Sequence, residues 1–99
     1  MPQSTKVKTT VDAPVFGQTV VTTAGTRVQL ATNTVLTQGI VITAKSGNSG
    51  NIFIGDVTVT SSNGYILTAG ASVTVIGDNI AKIYIDSAQN GEGVSYIGG

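Results

Sequence analysis

Few side chains in this chain could do chemistry, and their types exclude most reaction mechanisms. The 99 residues include no histidine and no cysteine, so a base or nucleophile would have to be a carboxylate, a lysine or a tyrosine. Two of the five acids could in principle form a glycosidase pair. Asp12 lies in the polar N-terminal segment, and the other four lie in or beside turns, where a solvated charge is expected: Asp56, Asp78, Asp86 and Glu92. We therefore predict that the protein is not an enzyme.

Two loops resemble ligand-binding motifs but lack the residues that decide the match. Asp86–Glu92 resembles the start of a calcium loop, yet Ala88 and Ile97 stand at the third and twelfth positions, where oxygen ligands are required. Gly47–Gly50 resembles a phosphate-cradling loop, but it has no Lys-Ser/Thr pair and leads into a strand. We predict a β-turn for the first loop, with Asn90–Gly91 at positive φ, and a hairpin loop for the second. No metal or cofactor is expected.

The three tyrosines, Tyr65, Tyr84 and Tyr96, could form a platform that contacts a sugar or a protein. Tyr84 stands between Ile83 and Ile85 in an alternating run. Because successive strand residues point to opposite faces, Tyr84 should face outward if the two isoleucines lie in the core. Cross-strand packing on an exposed sheet face is an equally open interpretation of these rings.

The surrounding sequence alternates with a period of two, which is typical of β-strands. In residues 39–45, for example, Ile40 and Ile42 share one face and Val41 and Thr43 the other. About eight such runs predict an all-β fold, a β-sandwich or jelly-roll-like small barrel of antiparallel strands, with almost no helix. Two of the runs, residues 18–22 and 26–31, flank a small-residue turn and predict a hairpin.

Composition and chain organisation limit the partners. Residues 1–14 are predicted to be an extended arm that could add a strand to a neighbour's sheet, or else a flexible terminus. Residues 15–99 are predicted to be a single β-sandwich domain. Charged residues make up only 10% of the chain and the net charge is zero, against about 25% charged residues in a typical domain. We expect a surface that is largely covered in the working state, no nucleic-acid partner, no membrane span, and synthesis in a cytoplasm without export.

Five segments in order resemble a family of small virion proteins of tailed bacteriophages, some of which decorate or cement capsids. The similarity covers about residues 19–97. The segments are Thr26–Leu30, Gly50–Gly55, Gly64–Leu67, Ala69–Val73, and Lys82–Asp86 continuing through Gly93–Tyr96. The resemblance implies a β-sandwich or jelly-roll module on the outer capsid surface that ties major capsid protein subunits together in the virion. It also implies a homo-oligomer, and a trimer would match quasi-three-fold positions of the shell.

We predict that the protein is such a decoration or cement protein. The alternative from another class is a head-fibre or tail adhesion module that binds a host glycan or receptor, which would require the tyrosines to share one outer patch. The predicted partner contacts are Lys6, Lys8, Arg27, Phe53, Tyr65, Tyr84 and Tyr96.

Overall fold

The computed structural model describes residues 13–99, so most of the predicted arm, including Lys6 and Lys8, lies outside the described residues. Eight strands follow one another along this part of the chain. They are β1 (Val15–Val21), β2 (Val28–Gln29), β3 (Ile40–Ala44), β4 (Ile52–Gly55), β5 (Tyr65–Leu67), β6 (Ser72–Val75), β7 (Tyr84–Ser87) and β8 (Glu92–Gly98). Helix within residues 13–99 is limited to one 3₁₀ turn, Ile80–Lys82. The predicted all-β class and strand number are confirmed.

The strands form two four-stranded antiparallel sheets that pack face to face. Sheet A has the order β1-β8-β3-β6, and sheet B has the order β2-β7-β4-β5. The first strand pairs with the last, β2 with β7, β3 with β6 and β4 with β5. This is the pattern of one long two-stranded ribbon folded onto itself, which is a jelly roll. The sheets do not join into a closed barrel, so the predicted sandwich is confirmed in its open form.

Alternating apolar residues on the two facing surfaces form the core. In sheet A, Ile40 and Ile42 are fully buried, and in sheet B Ile52 and Ile85 are fully buried. The β-branched side chains fit a pleated surface because their χ1 angles are already restricted. Aliphatic residues of this size fill the roughly 10 Å between two sheets. The alternation of apolar residues along the strands therefore predicts correctly which side chains form the core.

Two predicted hairpins are wrong, for one common reason. Strands β1 and β2, predicted as a hairpin around Ala24–Gly25, lie in different sheets. The loop at Gly47–Gly50 likewise joins strands of different sheets, β3 and β4. In a folded ribbon these strands pair with distant segments, so the two loops cross between the sheets instead of closing hairpins. The predicted turn at Asn90–Gly91 is present between β7 and β8, but only Gly91 has a positive φ, 76°.

Candidate functional site

The three tyrosines lie in three different environments. Tyr65 is 60% exposed on the edge strand β5. Tyr84 is half-buried on the outer face of sheet B, because its neighbours Ile83 and Ile85 are in the core, as the alternation predicted. Tyr96 is half-buried on the inner face of sheet A, where a Cβ on Gly17 would lie 2.6 Å from the Tyr96 hydroxyl oxygen. The tyrosines therefore do not share one outer patch.

Phe53, predicted as a partner contact, is only 6% exposed. It lies on the outer face of sheet B, where the β4–β5 loop covers it. Val59 of that loop is buried, and a Cβ on Gly64 would lie 2.6 Å from the Phe53 Cβ atom and 2.8 Å from a Val59 methyl carbon. The structure gives Phe53 a packing role, and direct contact with a partner would require this loop to move.

Arg27 is exposed in the connection between β1 and β2. Hydrogen bonds from the hydroxyl and the backbone N–H of Thr58 lower the pKa of Asp56, and the charge of Arg27 adds a smaller effect in the same direction. Arg27 is therefore available to a partner. It directly precedes β2 of sheet B, so it does not belong to the sheet that carries Tyr96.

The carboxylates of this domain bind its loops. One of them, Asp86, is buried, although a solvated charge was predicted for it. Asp86 is 2% exposed, and its Oδ1 accepts hydrogen bonds from the backbone N–H groups of Gly25 (2.9 Å) and Ser87 (2.8 Å). The carboxylate therefore fastens the β1–β2 connection onto sheet B. The expectation of a solvated Asp86 is wrong because a loop distant in sequence folds over it. Asp78 pairs with Lys82 at 3.0 Å on the surface, and the Lys82 hydrogen bond lowers the pKa of Asp78.

Glu92 closes the β3–β4 loop onto the start of β8. Its carboxylate accepts hydrogen bonds from the backbone N–H of Ser49 (2.5 Å), the backbone N–H of Gly50 (2.9 Å) and the Ser49 hydroxyl (2.9 Å). The N–H groups of Ser49 and Gly50 lower the pKa of Glu92, with a smaller effect of the Ser49 hydroxyl. The Gly47–Gly50 loop, which resembled a phosphate cradle, thus has two of its N–H groups occupied by this chain's own carboxylate.

Replacing Glu92 with glutamine should lower stability at neutral pH and much less at acidic pH. The folded pKa of Glu92 lies below its ordinary value of 4.5, so ionised Glu92 favours the folded state above pH 4.5. This contribution is lost as the pH falls through the folded pKa. Urea unfolding at pH 7 and pH 3 measures the difference between the two proteins. Asp56 and Asp78 are present in both proteins, so their titration contributes equally to both. A stability difference that does not change with pH would therefore contradict a role for the charge of Glu92.

The exposed apolar surface that sequence reasoning missed lies on the outer face of sheet A. Phe16, Ile97 and Val41 are directly paired across three adjacent strands and are 71%, 52% and 36% exposed. We call these three residues the apolar row. The next positions along the same strands, Gln18, Ser95 and Thr43, form a parallel polar row. The strands of sheet A carry one charged residue, Glu92, and its side chain is bound to the β3–β4 loop.

A lateral cleft of about 480 Å³ opens between the edges of the two sheets at β5 and β6. The residues that line it include Tyr65, Ile76 and the Asp78–Lys82 ion pair. Neither Tyr84 nor Tyr96 lines the cleft. Within residues 13–99 no group of three or more His, Cys, Asp or Glu side chains is placed to hold a metal ion.

Comparison of the chain with protein-family models, with curated proteins and with solved structures finds no match. In the part of the chain that the structure describes, no helix has the length and apolar character needed to cross a membrane.

Proposed function

We propose that this is a structural virion protein that decorates and cements the outer surface of a phage capsid, contacting the major capsid protein. The observation that carries the proposal is the apolar row on an uncharged sheet face. Single exposed apolar residues are common on protein surfaces, whereas a contiguous group indicates a binding surface. The apolar row and the polar row line a shallow, open depression of about 610 Å³. Such an open face suits binding to another protein better than binding a small molecule, which requires an enclosed, concave site.

Two further observations support this proposal. The ordered strand and turn segments between about residues 19 and 97 resemble small virion proteins of tailed phages. The strand order is that of a jelly roll, an architecture found in viral capsid domains and also in lectins. Fold alone does not define function. The jelly roll therefore supports the proposal only by analogy, whereas the apolar row is the surface that would bind the partner.

The size of the face determines how such a protein would hold a shell. Four strands about 4.8 Å apart and four to seven residues long cover roughly 250 to 450 Å². A stable interface buries about 800 Å² on each partner. One sheet face is therefore too small for tight binding by itself. Oligomeric attachment would combine several modest contacts into high avidity.

The alternative, an adhesion module that binds a host glycan or receptor, has less support. It needs an outer cluster of aromatic rings, and the three tyrosines lie on an edge, an outer face and an inner face. Of the three tyrosines, only Tyr65 lines the lateral cleft.

The proposal is tested by adding purified protein to expanded phage shells that lack it. Binding should saturate at a fixed number of copies per shell, and the melting temperature of the shell should rise, because the ligand binds the assembled state preferentially. Calorimetry and co-sedimentation measure the two effects. Absence of binding to shells from the source phage would overturn the proposal.

A further inference from the structure

The open edge of β1 is the longest free strand edge in the described part of the molecule. The four edge strands are β1, β6, β2 and β5, and they contain seven, four, two and three residues. On one side β1 pairs with β8 along its whole length. On the other side no strand within residues 13–99 pairs with it. An edge of this length spans about 24 Å of unpaired backbone.

The hydrogen-bond pattern shows which residues face this edge. Lys45 N–H donates to the Gly93 carbonyl at 3.0 Å and Gly99 N–H donates to the Gly39 carbonyl at 3.1 Å. The odd-numbered residues of β8 therefore direct their backbone groups toward β3, and the even-numbered ones toward β1. The partners of these even-numbered residues are Val15, Gly17 and Thr19. Consequently Phe16, Gln18 and Val20 present their N–H and C=O groups to the open edge.

Within β1 itself, residues 15–21, this edge lacks three features by which proteins usually prevent strand pairing. Charged side chains, proline and short length are the common protections. Residues 15–21 contain no charged residue and no proline, and the register with β8 runs without a bulge. The side chains at the three edge-facing positions lie on the outer face, where Phe16 is 71% and Val20 42% exposed.

We propose that the β1 edge pairs with the β1 edge of a second copy of this chain, antiparallel, across a two-fold axis at Gln18. The three edge-facing residues are symmetric about Gln18, so Phe16 would pair with Val20 of the second copy and Gln18 with Gln18 of the second copy. Each of the three residue pairs exchanges two backbone hydrogen bonds. All six N–H and six C=O groups that the two edges present are then satisfied. An axis at any other residue would leave some of them unpaired.

The same register joins apolar surfaces on the outer face. Phe16 would lie beside Val20 of the second copy, so the apolar row would continue across the interface. The two four-stranded sheets would form one eight-stranded sheet. The uncharged edge has no like charges to repel, so an identical strand is an acceptable partner. A single strand edge buries less than the roughly 800 Å² per partner of a stable interface. We expect a dimer with a dissociation constant of about 10 to 100 µM.

A charge exchange at Gln18 tests the two-fold axis, and does so independently of any capsid role. Gln18→Lys and Gln18→Glu each place like charges opposite each other, so each protein alone should associate about fivefold more weakly than the wild type. An equimolar mixture should regain wild-type association through Lys–Glu pairs. Thr74→Lys, on the outer face of β6 at the far edge of sheet A, is the matched control and should leave association unchanged. Sedimentation equilibrium measures mass against the 10.0 kDa chain.

A second experiment measures hydrogen exchange of the backbone amides of β1. Amide exchange of Phe16, Gln18 and Val20 should slow as protein concentration rises, whereas the amides of Gly17 and Thr19, already bonded to β8, should not change. Gln18→Pro removes one N–H from each copy, which is tolerated where the N–H faces outward, and should weaken association about 30-fold.

Three results would overturn the proposal. The first is a wild-type protein that stays monomeric to about 1 mM. The second is an oligomer insensitive to the charge exchange at Gln18. The third is protection of the three edge amides that does not depend on concentration, which would assign the edge to another segment of the same chain.

Discussion

Replacing Ile85 with alanine should lower the free energy of unfolding by about 2 to 5 kcal/mol. Ile85 is fully buried on β7, a central strand of sheet B, and is paired with Val28 on one side and Ile54 on the other. All three side chains face sheet A, so truncation leaves a cavity that neighbouring strands cannot close. Domains of this size are stable by only about 5 to 15 kcal/mol. The melting temperature, measured by circular dichroism, should therefore fall by more than about 10 °C.

Ile76→Ala is the matched control, because it deletes the same atoms at a position that is 80% exposed. It should change stability by less than about 0.5 kcal/mol. Equal effects of the two substitutions would mean that Ile85 does not lie between the two sheets, and would contradict the packing of the sandwich.

The strands could be predicted from sequence because their signal is local. The alternation of Ile40, Val41 and Ile42 requires only that one face be buried, and the structure buries both isoleucines completely. The outward direction of Tyr84 followed from the same rule. Strand pairing is not local: β1 meets β8, which begins about seventy residues later. Turn residues at Ala24–Gly25 indicate that the chain reverses, but they do not indicate which sheet it enters next.

The candidate site was missed for the same reason. Phe16, Ile97 and Val41 are far apart in sequence, and no spacing rule joins them until the register of three strands is known. Phe53 was misjudged in the opposite direction, because Val59 covers it from a loop that carries no strand signal. A single sequence shows which face of a strand is apolar. It does not show whether an apolar outer face is covered, as at Phe53, or open, as at Phe16.

Replacing Ile97 with aspartate should weaken binding to capsid shells by at least about 100-fold, if the apolar row is the docking surface as we propose. Ile97 is the central member of the row, between Phe16 and Val41. A carboxylate buried at an interface without a partner costs about 3 to 5 kcal/mol. The side chain is 52% exposed in the free protein, so the fold should tolerate the change at a cost of about 1 kcal/mol or less. Co-sedimentation with shells across a concentration series measures the affinity.

Ile66→Asp is the control that separates the two sheet faces. Ile66 is 56% exposed and lies on the outer face of sheet B, paired with Phe53. It therefore receives the same charge at nearly the same exposure, on the opposite side of the sandwich, and should leave shell binding unchanged. Loss of binding by Ile66→Asp but not by Ile97→Asp would assign docking to sheet B. Unchanged binding by both would contradict attachment through a sheet face, because each aspartate places a charge on the exposed apolar surface of its own sheet.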